Sequence, residues 1–132
     1  MEIVTRLFPA LTFMSLIVFL TACSSNTFIL SGESENWDAE LKVIQHENGF
    51  EDQLLKLHYK GKDIRAAGEV SYSLQTDAGG FAGGDLRLND YGNLEGKSQG
   101  NETNAKLSRE SDGIATVEWK GQKEKLTLTK RK

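Results

Sequence analysis

The chain has 132 residues, a net charge of −3, one cysteine and one proline. That length suits one domain, and the single cysteine excludes an internal disulfide. The mild acidity, in a chain whose start reads as an export signal, argues against a nucleic-acid partner.

Residues 1–6 carry one basic side chain, Arg6, offset by Glu2, and residues 7–20 are almost wholly apolar and uncharged. The apolar run falls short of the roughly 20 residues that a membrane-spanning helix needs. It suits the core of a secretory signal instead. Small residues follow, then Leu20-Thr21-Ala22-Cys23. This stretch resembles the lipobox of bacterial lipoproteins at every position. The resemblance implies cleavage between Ala22 and Cys23 and transfer of a diacylglyceryl group, with acyl chains such as palmitate, to the Cys23 thiol. Two or more acyl chains give stable anchoring without a membrane helix. The plainer alternative, an exported protein with a free thiol at Cys23, leaves a reactive group exposed. The expected location is the extracytoplasmic face of the cell membrane; in a Gram-negative cell, Ser24 after Cys23 allows the outer membrane.

The chain therefore divides into a signal peptide (1–22), a lipidated flexible tether (23–36) and a folded domain (37–132). The tether is polar apart from Phe28-Ile29-Leu30. Beyond it, apolar residues alternate with polar ones at period two, the mark of a half-buried strand. Trp37, Ala39, Leu41 and Val43 share one face; so do Leu55, Leu57 and Tyr59, and Val70, Tyr72 and Leu74. Residues 85–89 repeat the pattern briefly. Residues 114–129 read as a hairpin, and a turn at Gly121-Gln122 places Trp119 opposite Glu124, Val117 opposite Leu126 and Ala115 opposite Leu128. A turn at Lys120-Gly121 would set Val117 against Glu124, a poorer burial. Turn residues at Glu47-Asn48-Gly49, Lys60-Gly61-Lys62-Asp63, Asn89-Asp90-Tyr91-Gly92-Asn93 and Ser111-Asp112-Gly113 separate the runs. The pattern predicts an all-β domain, a small antiparallel β-sandwich, immunoglobulin-like or a related barrel. Trp37 and Trp119 belong to its core or rim.

The sign of charge is uneven: residues 33–52 are acidic and residues 114–132 basic. If the two segments form neighbouring strands, they attract. The basic Lys130-Arg131-Lys132 end otherwise reads as a solvated tail.

Gly32-Glu33-Ser34-Glu35-Asn36-Trp37, Tyr59-Lys60-Gly61 and residues 117–124 (VEWKGQKE) together resemble small uncharacterised lipoproteins of Gram-positive bacteria. The resemblance implies the membrane address and a β-rich fold. It implies no activity.

Chemistry is sparse. Nucleophilic catalysis needs a Ser or Cys beside a base and an orienting group; the chain has two histidines, His46 and His58, and no Gly-x-Ser-x-Gly. His58 falls on the polar face of its strand. His46, Glu47, Glu51 and Asp52 surround a turn, without the ordered spacing of a calcium loop. Ala78-Gly79-Gly80-Phe81-Ala82-Gly83-Gly84-Asp85 repeats a glycine-rich unit but precedes a strand and lacks the lysine of a phosphate loop. It reads as a flexible connection tipped by Phe81, a candidate contact point. Asn101-Glu102-Thr103 matches a glycosylation pattern that a bacterial address makes irrelevant. The expected role is a non-catalytic binding module with no cofactor and no metal, held to the membrane through lipid on Cys23 and partnered by an envelope protein or cell-wall polymer. The alternative is a small-ligand or metal-ion binding lipoprotein.

Overall fold

A computed structural model describes residues 25–101 and 103–131. The signal peptide, the cleavage point at Ala22 and the lipidation site Cys23 lie outside the described residues. Eight strands follow in order: β1 (Asn26–Glu33), β2 (Trp37–Gln45), β3 (Glu51–Tyr59), β4 (Glu69–Thr76), β5 (Gly79–Arg87), β6 (Asn93–Gly100), β7 (Gly113–Trp119) and β8 (Gln122–Lys130). All pair antiparallel in one sheet, ordered β5-β4-β7-β8-β1-β2-β3-β6. The sheet curls until β5 and β6 approach each other, which makes a nearly closed barrel. The seam between these two strands is joined at one rim by the turn in which Asn89 N donates to Asn93 O (2.9 Å).

Alternation sets the inside. Leu30, Trp37, Leu41, Val43, Val70, Val117, Leu126 and Leu128 are fully buried, and burial of such side chains is the main stabilising term. Trp37 packs on Tyr59 (centroids 5.1 Å) and edge-on against Trp119 (5.4 Å), as the sequence leads one to expect of a core or rim pair. Two non-strand residues plug the ends: Ala67, from a 3-10 turn at Ile64–Ala67, and Leu107 from the loop after β6. The rim that holds Asn26, the 46–50 turn and the 101–112 loop is called the near rim. The rim that holds residues 34–36, 60–68, 88–92 and the β7–β8 turn is the far rim.

Three sequence expectations need correction. The tether read over 23–36 is strand β1 from Asn26 to Glu33, paired along its whole length with β2. Phe28 and Leu30 point inward and join the core, while Ile29 between them faces outward. The glycine-rich segment is strand β5, paired with β4, not a flexible connection, and Phe81 packs on the core with its ring edge-on to Tyr72 (6.3 Å). The β7–β8 hairpin turns at Lys120-Gly121, so Trp119 pairs with Gln122 and Val117 with Glu124. Lys120 (φ 48°) and Gly121 (φ 72°) both lie in the left-handed region, as a type I′ turn requires, and that turn matches the twist of its strands.

The acidic and basic segments do not form neighbouring strands: β1 lies between β8 and β2, and Arg131, just past β8, reaches across it to set Nη1 3.2 Å from Glu40 Oε1 on β2.

Candidate interaction face

β2, β3 and β6 form three adjacent strands whose outward residues fall into register. One rung is Glu40, Lys56 and Glu95; the next is Lys42, Leu54 and Lys97. The first rung alternates in sign. The second does not: a leucine 37% exposed lies between two lysines. Strands stand about 4.8 Å apart, so the two lysine Cα atoms are about 10 Å apart across Leu54. Among the described residues, Lys42, Lys56 and Lys97 make no ion pair. These side chains line a shallow recess of about 530 Å³ on the outer wall. Glu40 and Glu95 line the same recess, so Leu54 lies between the cations Lys42 and Lys97 with a rung of alternating charge beside it.

Sequence reading passed over this face, although a signal was available. Leu54 and Leu55 are adjacent on one strand, so period two sends one of them outward. Leu55 is buried and Leu54 is the outward one.

The residues the sequence marked for metal or catalysis do not converge. His46 Nε2 meets Asp52 Oδ2 at 2.8 Å on the surface. Glu51 turns the other way and is 2% exposed. Its carboxylate accepts hydrogen bonds from Gln45 Nε2 (2.8 Å), Gln53 Nε2 (3.0 Å) and Leu107 N (3.2 Å). Glu51 thus fastens the Leu107 plug to the near rim. Gln45 Nε2 also donates to Leu107 O (2.6 Å). His58 is exposed, as its strand face predicts, with Nδ1 2.7 Å from Asn93 Oδ1. Among the described residues no three His, Cys, Asp or Glu side chains gather in a way that would hold a metal ion.

The far rim carries a second polar centre. Glu124 accepts from Ser34 Oγ (2.5 Å), Asn36 N (3.0 Å) and Asn36 Nδ2 (2.5 Å). Burial pushes its carboxyl up, and the hydrogen bonds from Ser34 and Asn36, with the nearby Lys60 charge, outweigh that, so its pKa lies below the ordinary carboxylate value. Lys60 donates to Glu33 Oε2 (3.0 Å) and Ser34 O (2.8 Å) and lies 3.6 Å from Asp38. The hydrogen bond to Glu33 is the main cause that holds its ammonium above the usual lysine value. This cluster locks the β1–β2 turn onto β8, which reads as structure, not chemistry.

The seam between β5 and β6 is filled from within by Tyr72 of β4. Gly83 and Gly96 leave the room: a Cβ at either would collide with the Tyr72 ring or hydroxyl. Burial raises the Tyr72 phenol above its ordinary value. At the near rim the seam widens into a cleft of about 200 Å³ beside Phe81, Gln53 and Ser98.

The chain matches no known family model, and no curated protein or solved structure is significantly similar to it.

Proposed function

We propose that the chain is an extracytoplasmic lipoprotein anchored through Cys23, and that its barrel is a non-catalytic module that binds an acidic envelope partner. We also read the fold as the barrel form of the expected small β architecture, because strand pairing runs without a break from β5 round to β6.

The observation that carries the proposal is the order of features along the chain. An apolar run, Leu20-Thr21-Ala22 and Cys23 stand directly ahead of strand β1, which begins at Asn26. Every described strand and the described core lie after that point, so removal of residues 1–22 would leave every described strand in the mature chain. The lysines that flank the outward Leu54, Lys42 and Lys97, support the binding part of the reading, since local charge steers and orients a partner of opposite sign.

Intact mass of membrane-extracted protein tests the anchor. The expected mass starts at residue 23 and carries about two or three acyl chains, as stable anchoring requires. Cys23→Ala should leave a larger, unprocessed precursor. A Cys23→Ala protein that matures and localises unchanged defeats the anchor. For the binding face, a photo-crosslinking residue at position 54 in intact cells should give a discrete adduct that Lys42→Glu with Lys97→Glu removes. An adduct that survives the charge reversal defeats the face.

A further inference from the structure

We propose that a basic recess at the near rim, beside the first residues of β1, seats the headgroup phosphate of an anionic phospholipid in the membrane that holds Cys23. The proposal rests on the lipid-anchor reading and adds a second, electrostatic contact to it.

The recess has a volume of about 280 Å³, with Phe28 at its base and Arg109, Lys130 and Arg131 around it. Three cations reach it from two distant parts of the chain. The Arg109 guanidinium lies 6.0 Å from the centre of the Phe28 ring, and Nη2 donates to Asn26 Oδ1 (2.8 Å). Arg131 is fixed by its backbone, whose N donates to Ile29 O (3.1 Å). Lys130 ends β8. Two acids answer them: Glu110 lies 3.9 Å from Lys130 and Glu40 lies 3.2 Å from Arg131. Both pairs are exposed, and such pairs contribute little. A phosphate can therefore displace them, and arginine forks match its oxygens.

Chain length places this recess at the membrane. Cys23 precedes Asn26 by three residues, which span about 10 Å when fully extended. A strand of eight residues, such as β1, is about 26 Å long, so the far rim is out of reach of that link. The near rim is the one a lipidated Cys23 holds against the bilayer. The acyl chains on Cys23 hold this rim at the bilayer, and a basic patch there gains electrostatic attraction to anionic headgroups.

The test is hydrogen exchange on acylated, membrane-extracted protein in nanodiscs of phosphatidylcholine, with or without phosphatidylglycerol. Segments 106–112 and 127–131 should exchange about threefold or more slowly with phosphatidylglycerol present. The far-rim segments 60–68 and 88–92 should not change. Arg109→Gln, Lys130→Gln and Arg131→Gln together should erase the difference. Lys62→Gln, Arg65→Gln and Lys120→Gln, the same charge change at the far rim, should preserve it. Equal exchange on both lipids, or loss of the difference in the far-rim variant, overturns the recess. Mass on the same sample separates the two readings: acylated protein with lipid-independent exchange removes only the recess, whereas protein without lipid removes the anchor and the recess together.

Discussion

Glu124 is a carboxylate at an inward-facing position of β8, and its partners come from about ninety residues away in sequence. Its folded pKa is depressed, so its contribution is present above the unfolded value, about 4.3. That contribution is lost as pH falls through the lower folded value. Glu124→Gln keeps the shape but sets an amide NH2 against the Ser34 and Asn36 donors. At neutral pH the variant should be less stable by about 1–2 kcal/mol. Thermal melts across pH should show the gap between the two proteins closing below about pH 4. A gap of constant size down to pH 3 would show that the loss is steric, not electrostatic. The same residue explains why the hairpin register was misread. Burial alone counts Glu124 opposite Val117 as a defect, and no local pattern reveals that Ser34 and Asn36 satisfy it.

At the scale of the element, legibility followed who fills the space beneath each strand. β2, β3, β4, β7 and β8 supply their own inward apolar residues, so their alternation was plain in the sequence. β6 supplies Leu94 and then Gly96, and β5 supplies Gly83, because Tyr72 from β4 occupies both places. A strand whose interior is filled by a neighbour shows no full alternation of its own: the glycine-rich start of β5 reads as a flexible connection, and β6 offers no strand signal. β1 was hidden differently: Ile29 faces outward between Phe28 and Leu30, and three apolar residues in a row mask period two. The outward Leu54 was legible from its doublet with Leu55; the lysines that flank it were not, because they come from other strands. The β7–β8 turn gives this scale its prediction. Lys120 holds φ 48°, a region where asparagine is more at ease than lysine. Lys120→Asn should stabilise by about 0.5 kcal/mol and raise Tm by a few degrees, read by thermal denaturation. Gly121→Ala, at φ 72°, should lower it. A Lys120→Asn variant that melts lower would argue against the I′ turn and for the alternative register.

For the molecule as a whole, the open question is how far the barrel closes, and its strand order makes that measurable. β7, β8, β1, β2, β3 and β4 each have a neighbour on both sides, while β5 pairs only with β4 and β6 only with β3. Successive backbone groups of an antiparallel strand point alternately to one side and the other. Every second amide of β6 should therefore face the seam without a ladder partner, and likewise on β5. Among the described residues, the Asn89–Asn93 turn ties the two strands together at the far rim. Native-state hydrogen exchange should accordingly show strong protection through β2, where both edges are paired, and a sawtooth along β5 and β6 in which seam-facing amides exchange at least about tenfold faster than their neighbours. The seam is wider at the near rim, so the contrast should grow from Asn93 toward Gly100. Uniform protection along β6 would mean that β5 and β6 share a full ladder and that the barrel is closed, in which case Tyr72 would be core and not the plug of an opening. The sawtooth would instead fix β5 and β6 as two free edges kept apart by one tyrosine, the least stable part of the wall and the place from which unfolding begins.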